Sequence, residues 1–201
     1  MIQDQLRELE QCLLEFHNPV LKYLEEGTPF DPDHFANMLY LLQLEASEDL
    51  NALYTWKPGL KKEIIGTLGF NFHLFDMGSH IEYTEALREY QVLVLREEEL
   101  FSNRFLPFVL MPGLGLEAPI LIDLSKKSKT FGQIFYDSPA TGVTEPTSIF
   151  DSLGSMIETV IACYREGVYN ISNEGVLDTD NERILTVSSR INKNSDYWKD
   201  W

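Results

Sequence analysis

The chain has 201 residues, 44% of them hydrophobic and 12% aromatic, enough for one core, since a domain of this size buries roughly 70% of its unfolded surface. Its net charge is −16, from 32 acids against 16 bases, a field that repels phosphate backbones and anionic lipid and draws in basic partners. The expectation is no nucleic acid, no membrane and a basic protein partner.

The excess is uneven, because residues 1–50 hold eleven acids against only Arg7 and Lys22, a net −9 that leaves −7 for the rest. No run of about eighteen apolar residues and no basic-then-apolar leader stands in the sequence, so the cytoplasm is the expected compartment. Cys12 and Cys163 each sit on an apolar helical stripe. Two buried free thiols are expected rather than a bridge.

Ile2, Leu6, Leu9, Leu13 and Phe16 recur at helical spacing with Glu8, Glu10 and Glu15 off the stripe, which predicts an amphipathic opening helix. Asn18 is expected to cap a short helix beginning at Pro19 and stopping at Gly27. A third helix is predicted from about Asp33, turning Phe35, Met38, Leu39 and Leu42 inward, and Ser47 caps a fourth that ends at Trp56 before Pro58-Gly59. The acids of the first fifty residues thus fall on outer helix faces.

Beyond Gly59 the pattern changes to strands at Ile64–Ile65 and Leu68–Phe75. Thr84 is expected to cap a helix reaching about Glu99, with Ala86, Leu87, Tyr90, Leu93 and Val94 inward. Leu106–Met111, Pro119–Leu124 and Phe131–Asp137 read as an antiparallel meander. A last helix is predicted from about Ser148 to Glu166, followed by a polar tail, 168–201, docked through Tyr197, Trp198 and Trp201. The fold class is α+β: one domain, with 1–46 an acidic helical extension, 47–167 the core and 168–201 a packed tail.

No constellation predicts catalysis or a cofactor. His73 and His80 stand seven positions apart with Asp76 between them, a spacing that suits metal ligands neither on a strand nor on a helix. Glu97, Glu98 and Glu99 point about 100° apart on a helix and cannot share a proton. Asp31 and Asp33 are separated by Pro32 and lack the downstream Gly and Glu of a calcium loop, so capping is the better reading. Lys126, Lys127 and Lys129 make a small basic hairpin tip, too little for nucleic acid. Asp76, Glu82, Glu85 and Glu89 form an acidic run leading into and along one helix, and are the candidate partner-binding residues.

Several segments together resemble the SUKH superfamily, the cell-wall-assembly-regulator-like and bacterial immunity proteins. They are Leu53-Tyr54-Thr55-Trp56 followed by Gly59, Glu85-Ala86 with Tyr90, Leu106-Pro107-Phe108, Ile122-Asp123-Leu124, Phe131-Gly132-Gln133-Ile134, and a closing stretch with Gly167-Val168-Tyr169, Gly175-Val176-Leu177-Asp178, Ile191-Asn192 and Tyr197-Trp198. The chain departs from the pattern at Lys57-Pro58, at Met111–Glu117 and in its extra N-terminal helices.

The resemblance implies a non-catalytic immunity protein that neutralises a basic, nuclease-type toxin by direct binding. The alternative is a regulatory interaction module of the cell-wall-assembly type. Trp56, Gly59, Leu106, Pro107, Asp123, Gly132 and Trp198 carry the resemblance and are expected to be structural. Asp123, a carboxylate flanked by apolar residues, is expected to need buried partners.

Overall fold

The computed structural model describes residues 1–61, 79–95, 103–111, 115–137 and 146–199. The strands expected at Ile64–Ile65 and Leu68–Phe75, together with His73, Asp76, Glu97 to Glu99 and Trp201, lie outside them. The class is α+β: among the described residues, seven helices accompany a five-stranded antiparallel sheet and a two-stranded hairpin.

Helices α1 (Ile2–Glu15), α2 (Val20–Leu24), α3 (Pro32–Leu41) and α4 (Glu48–Trp56) open the chain. Asp31 Oδ1 accepts from the backbone N–H of His34 and Ser47 Oγ from that of Leu50, so both caps fall where side-chain oxygens can satisfy the first orphan donors. Asn18 does double service, accepting from the N–H of Val20 and donating its amide to the Tyr164 hydroxyl at 2.8 Å.

Strand β1 (Ser79–His80) leads through Glu82 into α5 (Tyr83–Leu95). The expected Thr84 cap is corrected: the helix is already under way at Tyr83, because the Glu82 carbonyl accepts from Ala86 N–H and starts the ladder. Strands β2 (Phe105–Met111), β3 (Gly115–Asp123), β4 (Ile134–Tyr136) and β5 (Thr147–Phe150) complete a sheet in the order β1-β2-β3-β4-β5, every pairing antiparallel. The predicted meander is present.

Strand β5 corrects the sequence reading, which placed Ser148 and Ile149 in a helix. Phe135 and Tyr136 pair with Ser148 and Thr147 across β4–β5, and helix α6 (Leu153–Arg165) starts only after Ser152, whose hydroxyl accepts from Ser155 N–H while Ser155 Oγ returns the bond to Ser152 N–H. The tail is also more ordered than a polar strap. It contains the hairpin β6 (Tyr169–Ile171) and β7 (Leu177–Thr179), helix α7 (Asn181–Ile191) and a 3₁₀ turn at Tyr197–Lys199.

One apolar cluster joins Leu6, Leu9 and Leu13 of α1 to Leu53 and Tyr54 of α4, Leu106 and Ile122 of the sheet, Met156 and Val160 of α6, and Val187 of α7. Residues 1–46 are therefore part of this core and not an extension laid outside it. Cys12 and Cys163 are both buried and unbridged, as expected. On its other face the sheet carries Phe105, Leu121 and Phe135, with the Arg104 guanidinium 4.5 Å from the Phe105 ring centre.

Candidate interaction surface

The segment that ends α4 is built into the interior. Trp56 donates its indole N–H to Glu10 at 3.0 Å, and Lys57 reaches Glu10 at 3.0 Å and Glu25 at 2.7 Å, tying α1, α2 and α4 together. Partial burial raises the Glu10 pKa, but the hydrogen bonds from Trp56 and Lys57 outweigh it and hold the carboxyl below its usual range. Burial likewise lowers the Lys57 pKa, and its bonds to Glu25 and Glu10 more than reverse that.

His80 stacks on Trp56 with ring centres 6.4 Å apart, and its Nε2 lies 3.1 Å from the Lys57 carbonyl. Complete burial pushes its pKa down to about 4, against the smaller opposing pull of that carbonyl, so the imidazole is neutral and Nε2 donates. Gly59 follows with φ +100°, and a Cβ there would stand 2.6 Å from the Ile81 backbone. Only glycine fits that approach without strain.

Asp123 is fully buried and satisfied. One carboxylate oxygen accepts from Ser125 N–H at 3.0 Å; the other accepts from the Ser128 and Thr130 hydroxyls at 2.6 Å each, with Arg104 3.6 Å away. The side chain fastens the loop between β3 and β4. Gly132, at φ +80°, closes that loop by donating to the Asp123 carbonyl at 2.7 Å. Leu106 and Pro107 are buried on β2, and Trp198 donates its indole N–H to the Ile149 carbonyl of β5, docking the tail.

The predicted acidic docking run is corrected. Glu82 is 6% exposed and accepts from the N–H of Thr28, and Glu89 is 1% exposed. Glu85 is partly buried and bonded to Arg88, while Asp76 lies outside the described residues. Helix α5 packs on β2 and α3, so the face that holds Glu89 turns inward, and Glu82 is buried just ahead of the helix. Glu82 and Glu89 therefore do not form an exposed acidic face.

Exposed carboxylates occur in the first fifty residues and again in the C-terminal part, at Glu158, Glu166, Glu174, Asp178, Asp180, Glu182 and Asp196. Eight of the eleven acids of residues 1–50 are exposed. Several are engaged: Asp4 by Arg7, Glu15 by Arg165, Glu25 by Lys57 and Asp31 as a cap. Glu8, Glu26, Asp33 and Glu48 have no ion-pair partner among the described residues.

Beside them, Tyr40 and Leu41 at the end of α3 are 80% and 72% exposed. They border an open groove of about 770 Å³ that also involves Ala36, Leu44, Ala46 and Lys126. The sequence held a signal for this ledge. Met38 to Leu42 is five consecutive apolar residues, and a helix with one buried stripe must turn some of them out.

No three His, Cys, Asp or Glu side chains converge as a metal cage among the described residues, and no described helix is long and apolar enough to cross a membrane. No protein-family model matches the chain, and no curated protein matches it in sequence.

Proposed function

We propose that this chain is a non-catalytic immunity protein, which neutralises a basic, nuclease-type toxin in the cytoplasm by binding it directly. One observation carries the reading: the acid excess of the N-terminal helices is exposed, with four carboxylates left without a cationic partner among the described residues. Carboxylates held in an ion pair or a cap have little potential left for a partner. Unengaged ones on adjoining helices sum to a local field that steers a cationic surface toward them. The segments that resemble the SUKH superfamily support the same conclusion, since many of its members are immunity proteins.

In this mechanism the protein makes and breaks no covalent bond. Charge sets the encounter rate, and the fixed geometry of the helices, pinned by the Glu10–Lys57–Glu25 cluster, presents the carboxylates without a reordering cost. The test is to purify the C-terminal toxin domain encoded in the adjacent reading frame and mix it with this chain. A one-to-one complex is expected, with an association rate that falls at least about tenfold from low to high salt. Absence of a complex at low salt would overturn the proposal.

A further inference from the structure

We propose that the end of α3 and the β3–β4 loop form a face through which two copies of this chain pair about a twofold axis. Three observations on the same patch lead there.

The first is apolar exposure. Tyr40 and Leu41 project at 80% and 72% exposure beside an open groove of about 770 Å³ with Ala36 and Leu44 in its walls. Sites of roughly 300–1,000 Å³ accommodate large inserted groups. The patch therefore carries both a projection and a recess, and a twofold interface requires each surface to supply both.

The second is charge. In a molecule of net charge −16, two copies repel unless they meet where acids are sparse. Residues 35–44 hold no charged side chain, and residues 124–136 hold Lys126, Lys127 and Lys129 with no acid. Glu45 lies between these stretches, bridged to Lys126 at 2.9 Å, and the two side chains are 44% and 78% exposed. A patch that offers an exposed carboxylate as well as exposed ammonium groups can pair with itself: under twofold symmetry each Glu45 can face the other copy's Lys126.

The third is rigidity. Leu44 N–H bonds the Leu39 carbonyl at 2.8 Å and Glu45 N–H bonds the Leu124 carbonyl at 2.9 Å, so the ledge and the lysine loop are held together by backbone. Gln43 sits at φ +61° where glycine would be unstrained, and its side chain lines the groove. The surface is preorganised.

The proposal is independent of the toxin-binding reading, since it needs no other protein. Sedimentation velocity from micromolar to sub-millimolar concentration should show the 23.2 kDa chain passing to a species of twice that mass. The double variant Tyr40→Ser/Leu41→Ser should remain monomeric. Glu45→Lys and Lys126→Glu should each weaken pairing by at least about tenfold. An equimolar mixture of these two single variants should regain it, because across the axis Lys faces Glu twice while the pair within each copy stays broken. All four positions lie at the surface, and a thermal melt confirms folding of each variant. A wild-type chain that stays monomeric throughout, a dimer that survives Tyr40→Ser/Leu41→Ser, or a mixture no better than its components would each overturn the proposal.

Discussion

Two sets of acidic residues lie in this molecule, one inside and one outside, and sequence spacing alone does not separate them. Asp123, Glu82 and Glu89 are all buried: Thr28 reaches Glu82 from 54 positions away, and the nearby Ser128–Thr130 turn folds back over Asp123. Glu8, Asp33 and Glu48 on their helices, and Glu26 in the bend after α2, are exposed. The interior set fixes architecture, and under the proposed function the exterior set recruits the partner. Substitutions should therefore divide cleanly between effects on melting and effects on binding.

The largest effect on the interior side should come from Gly59→Ala. The new Cβ would lie 2.6 Å from the Ile81 backbone at a φ of +100°, combining steric overlap with a disfavoured backbone region. We expect a loss of about 3 kcal/mol or more in chemical denaturation. Near-wild-type stability would show that the α4–β1 junction can yield.

Asp123→Ala comes next. It leaves two hydroxyls and the Ser125 N–H without their acceptor, and should cost about 2 kcal/mol. An unaltered melting temperature would mean that the β3–β4 loop does not depend on this clamp.

His80 should give an effect confined to acid pH and absent near neutrality. Its pKa is about 4 in the folded protein against 6.5 for the free side chain, so between those values the unfolded chain binds the extra proton. Stability is then fully present above about pH 6.5 and falls with acidification toward pH 4, by up to about 1.4 kcal/mol per unit. His80→Gln, which keeps a donor for the Lys57 carbonyl, should flatten that slope. If the two pH profiles of stability superimpose, the imidazole is not held neutral by burial.

Replacing the exterior carboxylates should have the least effect on folding. Gln at Glu8, Glu26, Asp33 and Glu48 together should shift stability by less than about 1 kcal/mol, since each surface site contributes a few tenths. A large shift would move these residues to the interior side of the comparison.

Much of the fold was legible because local chemistry set it. Ser47 and Asp31 are helix caps in sequence and in structure, and the apolar runs at 106–111, 119–124 and 131–137 do form neighbouring strands. The exceptions have physical causes. Thr147–Phe150 is only four residues long and runs straight into a helix, so its apolar pair Ile149 and Phe150 also fits a helical stripe; pairing with β4 decides the matter. Helix α7 has few apolar residues, yet Ile184, Val187 and Ile191 keep helical spacing behind the Asp180 cap, a readable signal in a segment taken for a polar tail.

The candidate surface was less legible. Charge indicated the class of partner, but which carboxylates face solvent depends on the packing of α5 against β2 and α3, which no local pattern encodes.

The central claim, that the outer faces of the first four helices recruit a basic protein, is tested most directly by the association rate of the Glu8, Glu26, Asp33 and Glu48 to Gln variant with the adjacent toxin domain at low salt. The account predicts a rate at least about tenfold below wild type with an unchanged fold. A rate equal to wild type would contradict it.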